Sequence, residues 1–125
     1  MNFPANLRYT KEHEWISLEG NVATIGITDF AQRELGDIVY IEVDTIGKAL
    51  AAGEVFGTVE AVKTVSDLFL PVSGTITELN AQLAGKPEAV NNDPYGEGWM
   101  IKMTVDNPAD VEALMDAAAY EAIAG

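Results

Sequence analysis

The chain contains no cysteine and a single histidine, His13. Without cysteine there are no disulfides, thiolate nucleophiles, iron–sulfur clusters or Cys-type zinc sites, and the redox compartment is left unmarked. One histidine rules out a multi-histidine metal site and forces any Ser/His/Asp triad to be built on His13. Basic residues are scarce too: seven Lys and Arg face twenty Asp and Glu, a formal net charge of −13. That balance repels phosphate backbones and anionic lipid, so neither nucleic acid nor a membrane is an expected partner; the acidity suits docking onto basic protein surfaces or, equally, serves solubility alone. No apolar run is long enough to span a bilayer. The opening M-N-F-P-A-N-L-R-Y has neither the basic start and apolar core of a secretory signal nor the Arg/Ser-rich character of a mitochondrial presequence. A soluble, cytoplasmic protein is expected, in the mitochondrial matrix only if a presequence has been removed.

What is present suits one domain spanning 1–125, since 48% hydrophobic content over 125 residues supplies an ordinary core. Asn21–Ile27 is rich in β-formers, and Thr28 can then cap a short helix with Ala31 and Leu35 on one face and Gly36 at its end. Val39, Ile41 and Val43 alternate as in a strand. A Gly- and Ala-rich turn region follows from Gly47 to Gly53. Val55–Val62 and Val65–Val72 fit a hairpin with Lys63 at its tip. Gly74–Leu79 reads as a further strand, Asn91–Gly98 as a long surface loop, and Trp99, Ile101 and Met103 alternate once more. From Asn107, with Pro108 at the first helical position, Val111, Leu114, Met115 and Ala118 share one face of an amphipathic C-terminal helix. A five-residue echo links G-K-A-L-A at 47–51 to G-K-P-E-A at 85–89, as two halves of a quasi-symmetric β structure would.

The unusual residue is Lys63, a cation between two apolar strands in a chain with few cations. A lysine meant for covalent modification must stand clear of the body in a rigid frame, and a hairpin tip meets both demands. Glu60, three residues before it, and Asp67, four after, are acids in otherwise apolar strands and offer a recognition handle. Acylation of Lys63 would remove its charge and leave a long neutral arm.

The stretch E-A-V-K-T-V-S-D-L-F-L-P-V-S-G around Lys63 resembles the lipoyl-attachment hairpin of the glycine cleavage system H protein family. The likeness extends to H-E-W (13–15), A-T-I-G-I-T-D-F-A-Q (23–32), L-G-D-I-V (35–39), N-D-P-Y-G-E-G-W (92–99) and Leu114, Met115 and Tyr120, covering about nine tenths of the chain in collinear order. Three positions depart from the usual pattern. Ala61 replaces a small hydroxyl residue before the lysine dipeptide, V-D-T-I-G (43–47) replaces L-P-E-x-G, and F-L-P (69–71) replaces Y-A-P.

The resemblance implies a mainly β fold, a flattened, lipoyl-domain-like barrel-sandwich hybrid with a short inserted helix and a C-terminal helix. It implies a single lipoyl-carrier domain over 1–125, its hairpin at about 55–72 and its C-terminal helix at about 108–123. It implies a non-catalytic carrier with lipoate on Lys63 and Glu60 in recognition. The arm would take the aminomethyl group of glycine from a pyridoxal-phosphate decarboxylase to a tetrahydrofolate-dependent aminomethyltransferase, and electrons to dihydrolipoamide dehydrogenase. A lipoate ligase or octanoyltransferase would load it. An aminomethyl ammonium withdrawn from water without a partner costs several kcal/mol. A protective cleft is therefore expected, with an apolar wall from Ile27 and Leu35 and acids from Glu12, Glu14, Glu34 and Asp67, Glu14 and Asp67 being preferred.

Two other carrier readings compete. A biotinyl domain typically flanks its lysine with methionines, where Val62 and Thr64 stand here. A lipoyl or octanoyl relay needs the same lysine as glycine cleavage, so the sequence leaves it open. A self-contained hydrolase lacks a constellation. His13 is expected in a structural role at the barrel's edge, Trp15 and Trp99 as anchors, and Gly96 and Gly98 as turn formers, because no lysine or helix start follows them as a phosphate loop requires. At least two of the four acids are expected to be ordinary solvated charges.

Overall fold

The computed structural model describes residues 1–124. Among the described residues nine strands form two antiparallel sheets. β1 (Arg8–Tyr9), β2 (Glu14–Glu19), β3 (Val22–Ile27), β5 (Ala49–Leu50), β8 (Gly74–Leu79) and β9 (Ile101–Val105) make a six-stranded sheet in the order β1-β2-β3-β9-β8-β5. β4 (Ile38–Glu42), β6 (Val55–Ala61) and β7 (Val65–Phe69) make a three-stranded sheet in the order β4-β6-β7. Alternate residues of both sheets turn inward and meet in one cluster that includes Ile25, Ile76 and Met103 from the larger sheet and Ile41, Phe56, Val59 and Leu68 from the smaller. Each fully buried side chain of this size contributes roughly 1.5–3 kcal/mol.

The helix α1 (Asp29–Leu35) bridges β3 and β4. Thr28 caps it, its hydroxyl oxygen accepting from the Ala31 N–H at 3.2 Å, and Gly36 closes it at φ 80°, ψ −155° while donating to the Gln32 carbonyl. Only glycine occupies that backbone region without strain. Close approach explains Gly26: a Cβ there would lie 2.7 Å from the Trp15 indole nitrogen, whose N–H donates to the Pro94 carbonyl at 2.9 Å.

Several sequence expectations are corrected. The alternation of Val39, Ile41 and Val43 does not hold, because a bulge between Ile38 and Tyr40 resets the register; Ile38 and Ile41 turn inward while Val39 and Tyr40 are exposed. The 91–98 segment is not simply a surface loop. It begins inside the short helix α2 (Ala89–Asn92) and buries Pro94 and Gly98. The Asn91 side-chain amide donates to the Gly36 carbonyl and accepts from the Ile38 N–H, tying this segment to the end of α1. The echo at Gly47 and Gly85 is not structural, since Gly47 is left-handed at φ 85° and Gly85 is helical at φ −101°.

The largest correction is at the C-terminus, where the continuous helix over 108–123 is two helices, α3 (Ala109–Glu112) and α4 (Ala117–Ala124). Between them Met115 adopts a strand-like conformation and exchanges two backbone hydrogen bonds with Tyr9, at 2.8 and 3.1 Å. Asp116 restarts the helix, its carboxylate accepting from the Ala119 N–H at 2.9 Å. The expected single face is split accordingly: Val111 packs in the main core, Met115 joins a second cluster with Tyr9, Trp15 and Tyr120, and Ala118 is exposed. In that second cluster the Tyr9 and Tyr120 rings stack at 4.8 Å, 8° from parallel. No described helix is long and apolar enough to cross a membrane.

Candidate functional site

β6 and β7 pair from Val55 to Phe69, with Glu60 opposite Val65, and the Ala61 N–H donates to the Thr64 carbonyl at 2.8 Å. That bond closes a tight turn with Lys63 at its apex, exposed to solvent. The tip is fastened to the body by the Val62 N–H, which donates to the Asp37 carbonyl at 3.0 Å. The Lys63 stem lies against the end of α1: a Cβ on Gly36 would be 3.5 Å from the lysine Cε. Among the described residues no ion pair engages Lys63. The backbone at Lys63 is thus held in place, and its amine is available to a reagent.

Beside that end of α1 opens a cavity of about 400 Å³. The structure brings all six residues expected around a cleft to its wall: Ile27 at the end of β3, Leu35 and Glu34 from α1, Asp67 from β7, Glu14 from the start of β2 and Glu12 from the turn before it. His13, Phe30, Ala31, Val59, Ser66 and Leu68, which the sequence reading did not assign to the cleft, complete it. The period-2 pattern of β7 and the helical spacing of α1 carry the signal for Ser66, Leu68 and Phe30, but which sheet α1 covers is decided by the fold. Among the described residues no group of three or more acids or histidines is arranged to hold a metal ion.

The four acids differ in environment. Glu12, Glu34 and Asp67 are exposed, whereas Glu14 is only 2% exposed. Its carboxylate accepts from the Thr10 hydroxyl at 2.7 Å and from the Phe69 N–H at 3.2 Å. Burial pushes Glu14 up to about 7, against the lowering effect of those two hydrogen bonds and with a further push from Glu12. It therefore changes charge near neutral pH and gains from any cation placed beside it. Its other side faces a larger cavity of about 590 Å³, lined among others by Tyr9, Phe69, Leu70, Leu114 and Met115. Phe69 is six residues from Lys63, about 20 Å of strand, whereas Ser66 on the smaller cavity is three residues away, about 10 Å.

His13 has φ 69° and its Nδ1 lies 2.8 Å from the Tyr120 hydroxyl, which also lies 2.7 Å from the Thr28 hydroxyl. Burial lowers the His13 pKa below the ordinary imidazole value, despite the opposing pull of Glu12 and Glu34. Glu60 is exposed on β6 opposite Tyr40 and Val65. Ala61, one of the departures from the family pattern, is buried in the main core and so lies away from the exposed surface around the lysine.

Comparison with known proteins identifies the family and the fold. A family model described as the glycine cleavage H-protein matches residues 7–124. The chain is 61% identical over 123 residues to the glycine cleavage system H protein of Bacteroides fragilis, covering 98% of each chain. It is 61% identical over 127 residues to that of Chlorobium phaeovibrioides, covering 100% of this chain and 99% of the other. The crystal structure of a glycine cleavage system H protein from Mycobacterium marinum superposes with a TM-score of 0.88 at 36% identity, covering 97% and 98% of the two chains. The two packed sheets and the tip lysine define a lipoyl-domain-like barrel-sandwich hybrid. The chain belongs to the glycine cleavage H-protein family.

Proposed function

We propose that the whole chain, 1–125, acts as one lipoyl-carrier domain of the glycine cleavage system, with lipoate held as an amide on Lys63. The observation that carries this reading is the placement of Lys63: exposed at a backbone-fastened hairpin tip, free of ion pairs among the described residues, and lying against Gly36 beside a cavity with apolar and acidic walls. Those residues fit the group, since the amine is accessible for acylation and the cavity offers a long arm both apolar contact and carboxylates. When attached, lipoate supplies a dithiolane that accepts an aminomethyl group and electrons.

The chain's own part is presentation and protection. The tight turn fixes the base of the arm, so that a tethered group is offered at a defined point and not lost to free diffusion. Ile27, Leu35 and Val59 exclude water from the cavity. Glu14, deprived of solvent and pushed up to about 7, takes its negative charge more readily when an ammonium lies beside it, and Asp67, Glu12 and Glu34 add a field of the same sign. The partners are a pyridoxal-phosphate glycine decarboxylase, a tetrahydrofolate-dependent aminomethyltransferase, dihydrolipoamide dehydrogenase, and a lipoate ligase or octanoyltransferase for loading, all in the cytoplasm.

The test is intact-mass analysis and peptide mapping after incubation with lipoate, ATP and a lipoate–protein ligase, followed by reconstitution with the decarboxylase. One lipoyl adduct on Lys63 and glycine decarboxylation that disappears in Lys63→Arg are expected. An adduct on Lys11, Lys48, Lys86 or Lys102, or unchanged decarboxylation in Lys63→Arg, defeats the reading.

A further inference from the structure

The smaller sheet presents an outer face on which two rows run across all three strands. The strand register aligns Tyr40 with Glu60 and Glu60 with Val65, and, two residues further along each strand, Glu42 with Thr58 and Thr58 with Asp67. Paired residues share a face, and so do residues two apart on a strand. These six therefore form one surface with three acids and no base, next to Lys63; Asp67, on the edge strand β7, stands where this face meets the cavity wall. Tyr40 is 50% exposed and Val65 62%, and Val62, beside the lysine at the tip, is 75% exposed. On the opposite side of the tip the approach is obstructed: Gly36 lies against the lysine stem and Asp37 holds the Val62 N–H.

We propose that this outer face of β4-β6-β7 is the docking surface for the enzyme that acylates Lys63, a partner whose active-site entrance carries an apolar ridge and at least two basic side chains. The inference rests on the reading of Lys63 as the attachment site and adds which side of the hairpin is engaged and by what chemistry. An enzyme that takes the Lys63 amine into its active site must seat its entrance on the ring of residues around the tip, and α1 fills one side of that ring. On the open side Glu60 stands between Tyr40 and Val65. A carboxylate flanked by apolar side chains makes a stronger hydrogen-bonded pair with an arginine once a partner excludes water, and tyrosine is among the residues that anchor interfaces. Glu42 and Asp67 extend the negative charge along the sheet and steer a basic surface toward it. In the reaction served, the unprotonated Lys63 Nζ attacks the carbonyl of an acyl adenylate; the C–N amide bond forms, the C–O bond to the phosphate breaks, AMP leaves, and the lysine proton passes to solvent.

The experiment compares acylation of the full-length apo protein by a lipoate–protein ligase with lipoate and ATP, followed by intact mass, in Tyr40→Ser/Val65→Thr, Glu42→Lys and Tyr40→Phe. The double variant is expected to lose tenfold or more in kcat/KM, Glu42→Lys to lose at least threefold with a weaker salt dependence, and Tyr40→Phe to stay within twofold of the parent. Each variant, driven to full lipoylation with excess ligase, is expected to have its dithiolane reduced to the dithiol by dihydrolipoamide dehydrogenase and NADH, with NAD released, at the parental rate. Acylation of the double variant within twofold of the parent overturns the proposal. So does an equal loss in both assays, which would make the face a general contact or a surface for a second copy. If the parent protein itself gains no adduct on Lys63, the attachment reading fails instead, whatever the variants do.

Discussion

Tyr120 and His13, 107 residues apart in sequence, meet with the tyrosine hydroxyl 2.8 Å from the imidazole Nδ1. The same hydroxyl lies 2.7 Å from Thr28 Oγ1, the atom that caps α1. Counting donors fixes the direction of the chain. Thr28 is fully buried and its oxygen already accepts from the Ala31 N–H, so its proton goes to Tyr120, and Tyr120 donates to a neutral His13. Through these bonds α4 sets the position of α1 and of one wall of the cavity.

Tyr120→Phe leaves the Thr28 hydroxyl and the His13 nitrogen without partners and is expected to cost about 1–3 kcal/mol, read from denaturant unfolding. The His13 pKa, followed by NMR, should rise, since the ring loses a donor that favours its neutral form. A histidine whose folded pKa is lowered contributes stability that is lost as pH falls below its unfolded value of 6.5, where the unfolded chain takes up a proton that the folded ring refuses. His13→Asn, which tolerates the left-handed backbone, should flatten that acid-side decline.

Glu14 has the opposite sign from a salt-bridged acid. Its folded pKa of about 7 lies above the unfolded value of 4.5, so between those values the folded state holds the proton more tightly and stability falls as pH rises. Glu14→Gln keeps an acceptor for the Phe69 N–H and presents an NH2 to the Thr10 oxygen in place of the carboxylate oxygen that accepted from its hydroxyl, while removing the charge. Relative to the parent it should gain stability between pH 4.5 and 7, reaching up to about 3 kcal/mol, measured by urea unfolding at a series of pH values. A flat difference across that range would show that Glu14 does not titrate there.

Gly36→Ala places a side chain where φ is 80° and ψ −155°, and a cost of about 1–3 kcal/mol is expected. The new Cβ would make only an ordinary contact with the Lys63 stem at 3.5 Å, so the cost is backbone strain; because the neighbouring Asp37 carbonyl accepts from the Val62 N–H, amide exchange at Val62 should quicken together with the loss of stability.

Glu60→Ala removes an exposed carboxylate and should change stability by under roughly 0.5 kcal/mol while slowing acylation of Lys63. Thermal unfolding and the time course of the mass shift separate the two effects. A large stability loss with normal acylation would make Glu60 structural.

For the cavity, Glu14→Ala and Asp67→Ala, alone and combined, are expected to speed release of formaldehyde from the aminomethylated protein, the combined variant most. Loading the parent at pH 7 should also release protons, because an ammonium beside Glu14 lowers its pKa. Unchanged formaldehyde release in the double variant would remove these two acids from the protective role.

The sequence by itself determined the local features. Thr28 and Gly36 bracket α1 because capping and left-handed backbone are chemistry of single residues, and the hairpin that raises Lys63 follows from two β-rich runs separated by too few residues to do anything else. Tertiary structure decided what depends on partners distant in the chain. The helical periodicity of 108–123 is genuine, yet Met115 leaves it because Tyr9 offers two backbone hydrogen bonds and a buried aromatic cluster, which outweigh one turn of intrinsic helix propensity. Glu14 reads in sequence like any other acid. Only the packing of β2 against β7, which brings the Phe69 N–H to its carboxylate and strips away water, sets it apart from Glu12 two residues earlier, because desolvation is a property of everything around a group and of nothing in its own identity.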